Sequence, residues 1–212
     1  MKSWGGRREG AGRKRIVGRQ RRVAHAKRAQ FASLTPVHVT VRVIDGLPTL
    51  RSLRAARALK SAFLAGRERG DFRLVHFSVM SNHLHFVVEA NDSCALSRGM
   101  QGLLVRIAHH LNSALSRSGR VFADRFHSRI IGSTRDVRNT LLYVLNNARR
   151  HGIAFSGHVD PYSSAAWFAG WRDVRSASRS APIAAPRSWQ LSNGWWPHGQ
   201  LRSAAIPRAH TM

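Results

Sequence analysis

The residues of this sequence whose types and spacing could do chemistry fall in two short stretches. The first is His83-Leu84-His85, inside the segment Met80-Ser81-Asn82-His83-Leu84-His85-Phe86-Val87-Val88-Glu89. Apolar and β-branched residues alternate with polar ones, and Ser81-Asn82 breaks the chain just before, the pattern of a β-strand. Side chains two apart on a strand share a face. His83, His85, Val87 and Glu89 therefore point one way, and Leu84, Phe86 and Val88 the other. Two imidazoles side by side form half of a divalent-metal site and can equally hold a phosphate. An exposed strand on which two histidines happen to alternate is the plainer alternative, and a motif this short does not choose between them.

The second stretch is helical. Ser133-Thr134-Arg135-Asp136 resembles a capping box with Asp in place of the usual Glu. Val137, Leu141, Leu145 and Ala148 form the apolar stripe of the helix that follows. Asn139, Tyr143 and Asn147, at i, i+4 and i+8, share a face roughly opposite that stripe. A phenol there, with an amide one turn later, is more than packing requires, although a tyrosine at the edge of a core has the same spacing. Arg149-Arg150-His151-Gly152 supplies a basic last turn and a glycine stop.

Composition narrows the setting. The 212 residues hold 35 basic and 10 acidic side chains, a net charge of +25 and a pI near 12. That excess implies a polyanionic partner, nucleic acid before any other. No apolar run reaches the roughly 18 residues of a membrane span, and the basic residues are spread along the chain, so no membrane partner is expected. The single cysteine, Cys94, excludes a disulfide framework and a thiolate zinc site. The first thirty residues lack the apolar stretch of a signal peptide, so a cytoplasmic, nucleoid-associated protein is expected. Those residues carry eleven Lys and Arg against one acid, Glu9, and read as a flexible basic arm (1–30). Within it, Gly10-Ala11-Gly12-Arg13-Lys14-Arg15 is suited to lie along phosphates.

The elements that must position the two stretches follow in order. Val37-His38-Val39-Thr40-Val41-Arg42-Val43-Ile44 alternates as a first strand, with Val37, Val39, Val41 and Val43 facing the core. A helix runs from about Leu50 to Glu68, and Phe72–Met80 forms a second strand that pairs as a hairpin with the histidine strand. Ser93 caps a helix reaching about Ser116, and Val121–Ile131 leads into a fourth strand. Beyond Gly157 the composition shifts to Ser, Ala, Pro, Trp and Arg. There 176–188 reads as a linker, and Trp189, Trp195 and Trp196 either dock on the domain or stack on unpaired bases. The order strand, helix, strand, strand, helix, strand, helix predicts an α+β fold: a ferredoxin-like antiparallel sheet with one further, tyrosine-bearing helix. The domain spans 31–156 and the irregular tail 157–212.

In that fold the histidine strand is central, and the last helix can lay Tyr143 and Asn147 across its histidine face. A divalent cation held by His83, His85 and Asn147 leaves positions open for phosphate oxygens. The phenol of Tyr143 is then the natural nucleophile; its ordinary pKa near 10 means that the metal and nearby cations must favour the phenolate. Arg42, Arg125, His127, Arg129, Arg149 and Arg150 are expected on the nucleic-acid backbone together with Arg13, Lys14 and Arg15.

On His83-Leu84-His85 as a His–hydrophobic–His motif, and on Tyr143-Val144-Leu145-Asn146-Asn147 downstream, residues 30–155 resemble the single-tyrosine HUH transposases, in the branch of REP-associated tyrosine transposases. The resemblance implies an enzyme that binds a hairpin in single-stranded DNA and cleaves beside it with Mg²⁺ or Mn²⁺. The tyrosine attacks phosphorus, leaving a 5′-phosphotyrosine and a free 3′-OH, and the reverse step rejoins strands. His83 and His85 match the family's metal ligands, Tyr143 its nucleophile and Asn147 its third ligand position, which is Gln in many insertion-sequence members. Asn is a shorter, neutral ligand, which leaves the preferred metal open. Glu89 has no assigned role. A monomer or homodimer is expected. Two other classes fit the composition: a domesticated, non-catalytic hairpin binder, and a basic RNA-binding ferredoxin-like domain. An RNA reader more often places Phe or Tyr where this central strand has His.

Overall fold

The computed structural model describes residues 29–177 and 180–207; Arg13, Lys14 and Arg15 lie outside the described residues. The chain forms β1 (Thr35–Arg42), α1 (Leu53–Gly66), a two-residue β2 (Glu68–Arg69), β3 (Phe72–Val79), β4 (His83–Ala90), α2 (Ser93–Ala114), β5 (His127–Ile130), α3 (Thr134–Leu145) and α4 (Asn147–Arg150). The strands build one antiparallel sheet in the order β2-β3-β4-β1-β5. This is the expected α+β, ferredoxin-like order, with the short β2 added at one edge. No helix among the described residues is long and apolar enough to cross a membrane.

Period-two alternation divides the sheet's side chains between two layers. Val37, Val39 and Val41 of β1 and Leu84, Phe86 and Val88 of β4 pack under α1 and α2. Strand β3 breaks the period. Leu74 pairs with Val88 and His76 with Val87, leaving Val75 as a bulge. Leu74 and Phe77, three apart, thus face the same helices, while Val75 turns to the other layer. Helix α2 approaches β3 closely because Gly99 has no Cβ; one built there would fall 2.2 Å from Cγ of Phe72. The cap of α2 is Asp92, whose Oδ1 accepts from the Ala95 N–H at 2.6 Å. Ser93, expected as the cap, instead donates its hydroxyl to Gln30 Oε1. A carboxyl at this position meets the unsatisfied N–H groups of the first turn and the positive end of the helix dipole together.

The second layer consists of α3, α4 and the tail. Val75 and Val87 of the sheet meet Val137, Leu141 and Val144 of α3, and Phe168, Trp171, Leu191 and Trp195 of the tail close over them. Trp195 is buried and stacks on Phe168, whereas Trp189 stays 63% exposed, so the terminal tryptophans divide between docking and solvent. The stretch that composition marks as linker is tied to the sheet at Ala184 and again at Arg187 and Ser188. The Ala184 N–H donates to the Leu74 carbonyl at 2.8 Å. Glu89, fully buried, accepts from the N–H groups of Arg187 and Ser188, each at 2.8 Å, and from the Ser188 hydroxyl at 2.6 Å.

Beneath the tail, His76 is buried against Phe168 with Nδ1 3.1 Å from Ser164 Oγ. Burial lowers its pKa from 6.5 to about 3. The unfolded chain therefore takes up a proton at His76 below pH 6.5 that the folded chain refuses until about pH 3. Stability is complete above that window and falls through it, by about 1.4 kcal/mol per pH unit from this residue. Between pH 7 and pH 5, His76→Asn is expected to lose about 2 kcal/mol less than wild type by this linkage, measured by urea denaturation at both pH values. Equal losses would show that His76 is not the buried titrating group.

Candidate active site

Strand β4 carries His83 and His85 on the face that α3 covers. Their rings meet edge-on, with centroids 4.9 Å apart. His83 Nδ1 lies 2.9 Å from Asn82 Oδ1. An amide oxygen can only accept, so the proton sits on Nδ1 and Nε2 keeps its lone pair. His85 is 1% exposed, and its Nε2 is buried with no hydrogen-bond partner.

Ser133 starts α3 by accepting from the Asp136 N–H at 3.1 Å, and that start sets the helix face. The ring of Tyr143 stands perpendicular to His85, centroids 5.4 Å apart, and edge-on to His38 at 5.8 Å. The phenol is thus on the imidazole side of the sheet. The helix pauses at Asn146, whose side-chain amide donates to the carbonyls of Arg202 and Ala205 at 3.3 and 2.8 Å. It resumes as α4 at Asn147, which is fully buried with neither Oδ1 nor Nδ2 hydrogen-bonded. Asn139, which the helical spacing groups with Tyr143, is exposed. The polar face turned inward reads Asp136, Thr140, Tyr143 and Asn147, because α3 is buried on two sides, between the sheet and the tail, and its apolar stripe is correspondingly wide.

Electrostatics favours neutral imidazoles and a protonated phenol. Burial, then the nearby His151 and the Arg42 guanidinium, lowers the His83 pKa to about 4. His85 is held lower still, by burial first and then by His38, His83 and His151. The Tyr143 pKa is raised by burial, against the Arg150 guanidinium, which lies 5.7 Å from the ring centre and pulls it down.

The residues that could hold a divalent cation here are His83, His85 and Asn147, and the unpaired atoms among them are the observation in favour. Buried polar groups are almost always paired, and an unpaired one costs about 1–3 kcal/mol. Here His85 Nε2 and both polar atoms of the Asn147 side chain lack partners, and His83 Nε2 is available on the same face. No group of three or more His, Cys, Asp or Glu side chains suited to a metal occurs among the described residues; the candidate donor set would be two imidazoles and one amide oxygen. If Asn147 is kept for a ligand and not for folding, Asn147→Leu should stabilise the metal-free protein by about 1–2 kcal/mol while weakening Mn²⁺ binding. Denaturant melts and a Mn²⁺ titration check this; a destabilised variant with normal Mn²⁺ affinity would reverse the assignment.

The expected DNA-contacting residues are scattered in role. His127, which pairs with Thr40 across β1 and β5, and Arg125 in the loop before it are exposed. Arg42 reaches Asp45 Oδ1 at 2.8 Å. Arg129 grips Asp136 through both terminal nitrogens, at 2.6 and 3.2 Å, and also donates to Thr140 Oγ1, so it ties β5 to α3. Arg149 lies over the Phe155 ring and donates to the His158 carbonyl, and Arg150 donates to the Pro207 carbonyl beside the phenol.

Two neighbours of His85 are missing from the sequence reading. Thr40 pairs with His85 across β1 and β4, and its Oγ1 lies 3.1 Å from His85 Nδ1. His38, nearly buried, places Nε2 3.2 Å from the same atom. Their alternation with the core valines of β1 was the available signal; the strand register that brings them to His85 was not.

Comparison with known proteins completes the description. A REP-associated tyrosine transposase bound to a REP hairpin shares the fold, with 19% sequence identity and a TM-score of 0.55 over 67% of this chain and 82% of that one. A candidate transposase from Deinococcus radiodurans R1 aligns more loosely, at 13% identity and a TM-score of 0.41 over 62% of this chain and 99% of that one. Curated proteins give no significant match. The family model described as "Transposase IS200 like" matches residues 36–147, from the start of β1 through both histidines and the tyrosine to Asn147, and the chain belongs to that transposase family.

Proposed function

We propose that this protein is a metal-dependent endonuclease and strand transferase for single-stranded DNA, acting at DNA hairpins through a covalent 5′-phosphotyrosine. The observation that carries the reading is the phenol of Tyr143 standing 5.4 Å from the His85 ring, beside buried donor atoms that have no protein partner. The hairpin bound by the structural neighbour supports the substrate class, as does the charge of +25.

His83, His85 and Asn147 would hold the cation. Bound Mg²⁺ or Mn²⁺ supplies a Lewis acid for the oxygens of the scissile phosphate. Tyr143 Oη attacks phosphorus, the P–O3′ bond breaks, and the phenolic proton is balanced by one taken up at the leaving 3′ oxygen. The phosphodiester is conserved as a phosphotyrosine, so a second 3′-OH can reverse the step without ATP. Arg150 favours the phenolate by its charge. Arg42, Arg125, His127 and Arg149 lie along the DNA, with Arg13, Lys14 and Arg15 of the basic arm (1–30) preceding the domain (31–156). Such a protein works at the nucleoid.

The test uses 3′-labelled hairpin oligonucleotides, because the downstream fragment is the one retained on the enzyme. Mn²⁺ should transfer label to the protein, and EDTA should prevent it. Label transfer unaffected by EDTA, or hairpins bound but never cut across a panel, would refute the nuclease reading. The low exposure of Tyr143, 7%, is the feature that favours a binding-only protein, and that protein would give the second outcome.

A further inference from the structure

His85 Nδ1 has two neighbours, His38 Nε2 at 3.2 Å and Thr40 Oγ1 at 3.1 Å, while Nε2 of the same ring is buried without a partner. The His38 and His85 rings are nearly parallel, 17° apart, with centroids 5.4 Å from one another. A neutral imidazole carries one proton, so the hydrogen bond at Nδ1 decides what Nε2 can do. If Nδ1 donates, Nε2 is a lone pair able to bind a cation. If Nδ1 accepts, the proton sits on Nε2 and the ring cannot serve as a ligand there. A threonine hydroxyl can donate or accept and so does not choose. A histidine nitrogen without a proton can only accept.

We propose that His38 is a positioning residue of the metal site: its Nε2 accepts from His85 Nδ1–H and so presents the buried Nε2 of His85 as a lone pair. This rests on the metal-site reading of His83, His85 and Asn147. The relay has the logic of a carboxylate or carbonyl that orients a metal-binding histidine, with an imidazole from the neighbouring strand in that place. It also explains a buried histidine on β1 that the transfer chemistry does not touch.

Two readouts on the full-length protein test it: long-range ¹H–¹⁵N spectra of ¹⁵N-histidine-labelled, metal-free protein, and Mn²⁺ affinity from the free-ion EPR signal. Wild type should show His85 protonated at Nδ1. His38→Phe should move that proton to Nε2 and weaken Mn²⁺ binding about 10–100-fold, the range for loss of an outer partner. His38→Gln, whose amide oxygen accepts, should restore the Nδ1–H form and most of the affinity, and Thr40→Val should keep both. His85→Ala reports on the underlying site. If wild type and His85→Ala bind Mn²⁺ equally, the metal-site reading fails and the relay with it. If they differ but His38→Phe keeps the wild-type tautomer and affinity, or if Thr40→Val moves the proton instead, the site stands and the role of His38 is refuted.

Discussion

Tyr143→Phe abolishes label transfer from a 3′-labelled hairpin, by roughly 10³-fold or more, as expected when the atom that forms the covalent bond is deleted. The substitution keeps the ring, and with it the edge-on contacts to His85 and His38, so hairpin affinity and melting temperature should change little. The chain offers a clean control, because it has only two tyrosines. Tyr162 packs against the opposite layer, under the Arg51 guanidinium at 4.4 Å, and Tyr162→Phe should leave transfer intact. Label transfer that survives in the Tyr143 variant and vanishes in the Tyr162 variant would move the nucleophile across the sheet and dismantle the site as described.

Glu89→Ala should be the most destabilising single change on the imidazole face. Its fully buried carboxyl receives three donors from the tail, two of them from the buried Ser188. Truncation leaves the Arg187 and Ser188 N–H groups without their acceptor and opens a void beneath them. The expected cost is about 3–5 kcal/mol, typical of removing one side of a buried charged hydrogen-bond network. For a chain of this length that corresponds to a fall of roughly 6–20 °C in melting temperature. Limited proteolysis should then cut first beyond residue 157, because the strap over β3 loses its anchor. A melting temperature within a degree of wild type would mean that the tail is held by its tryptophans alone. The result bears on the site as well, since the same tail supplies the carbonyls that hold Asn146 beside Asn147.

Much of this architecture is legible in residue order. The alternation through Val37–Val43 and through His83–Glu89 assigns each side chain to a face because a strand permits only two, and both assignments agree with the observed layers. The spacing of Tyr143 and Asn147 places them one turn apart on a helix, and short connections leave few ways to return that helix to the sheet. The inclusion of Asn139 fails because helical spacing alone does not say how wide the buried face is. With the tail packed on its far side, α3 turns Thr140 inward and Asn139 outward. The bulge at Val75 is equally silent, since one extra residue in an apolar strand leaves the alternation ambiguous.

The sequence by itself therefore determined most of the elements and the faces of β4 that carry imidazoles and core, because these follow from local periodicity. Only the tertiary structure decided who their partners are. Thr40 and His38 reach His85 through strand register, from 45 and 47 residues away, and Ser188 reaches Glu89 from 99 residues away. Such contacts are made by chain closure, and nothing in the neighbourhood of either residue encodes which distant backbone will arrive.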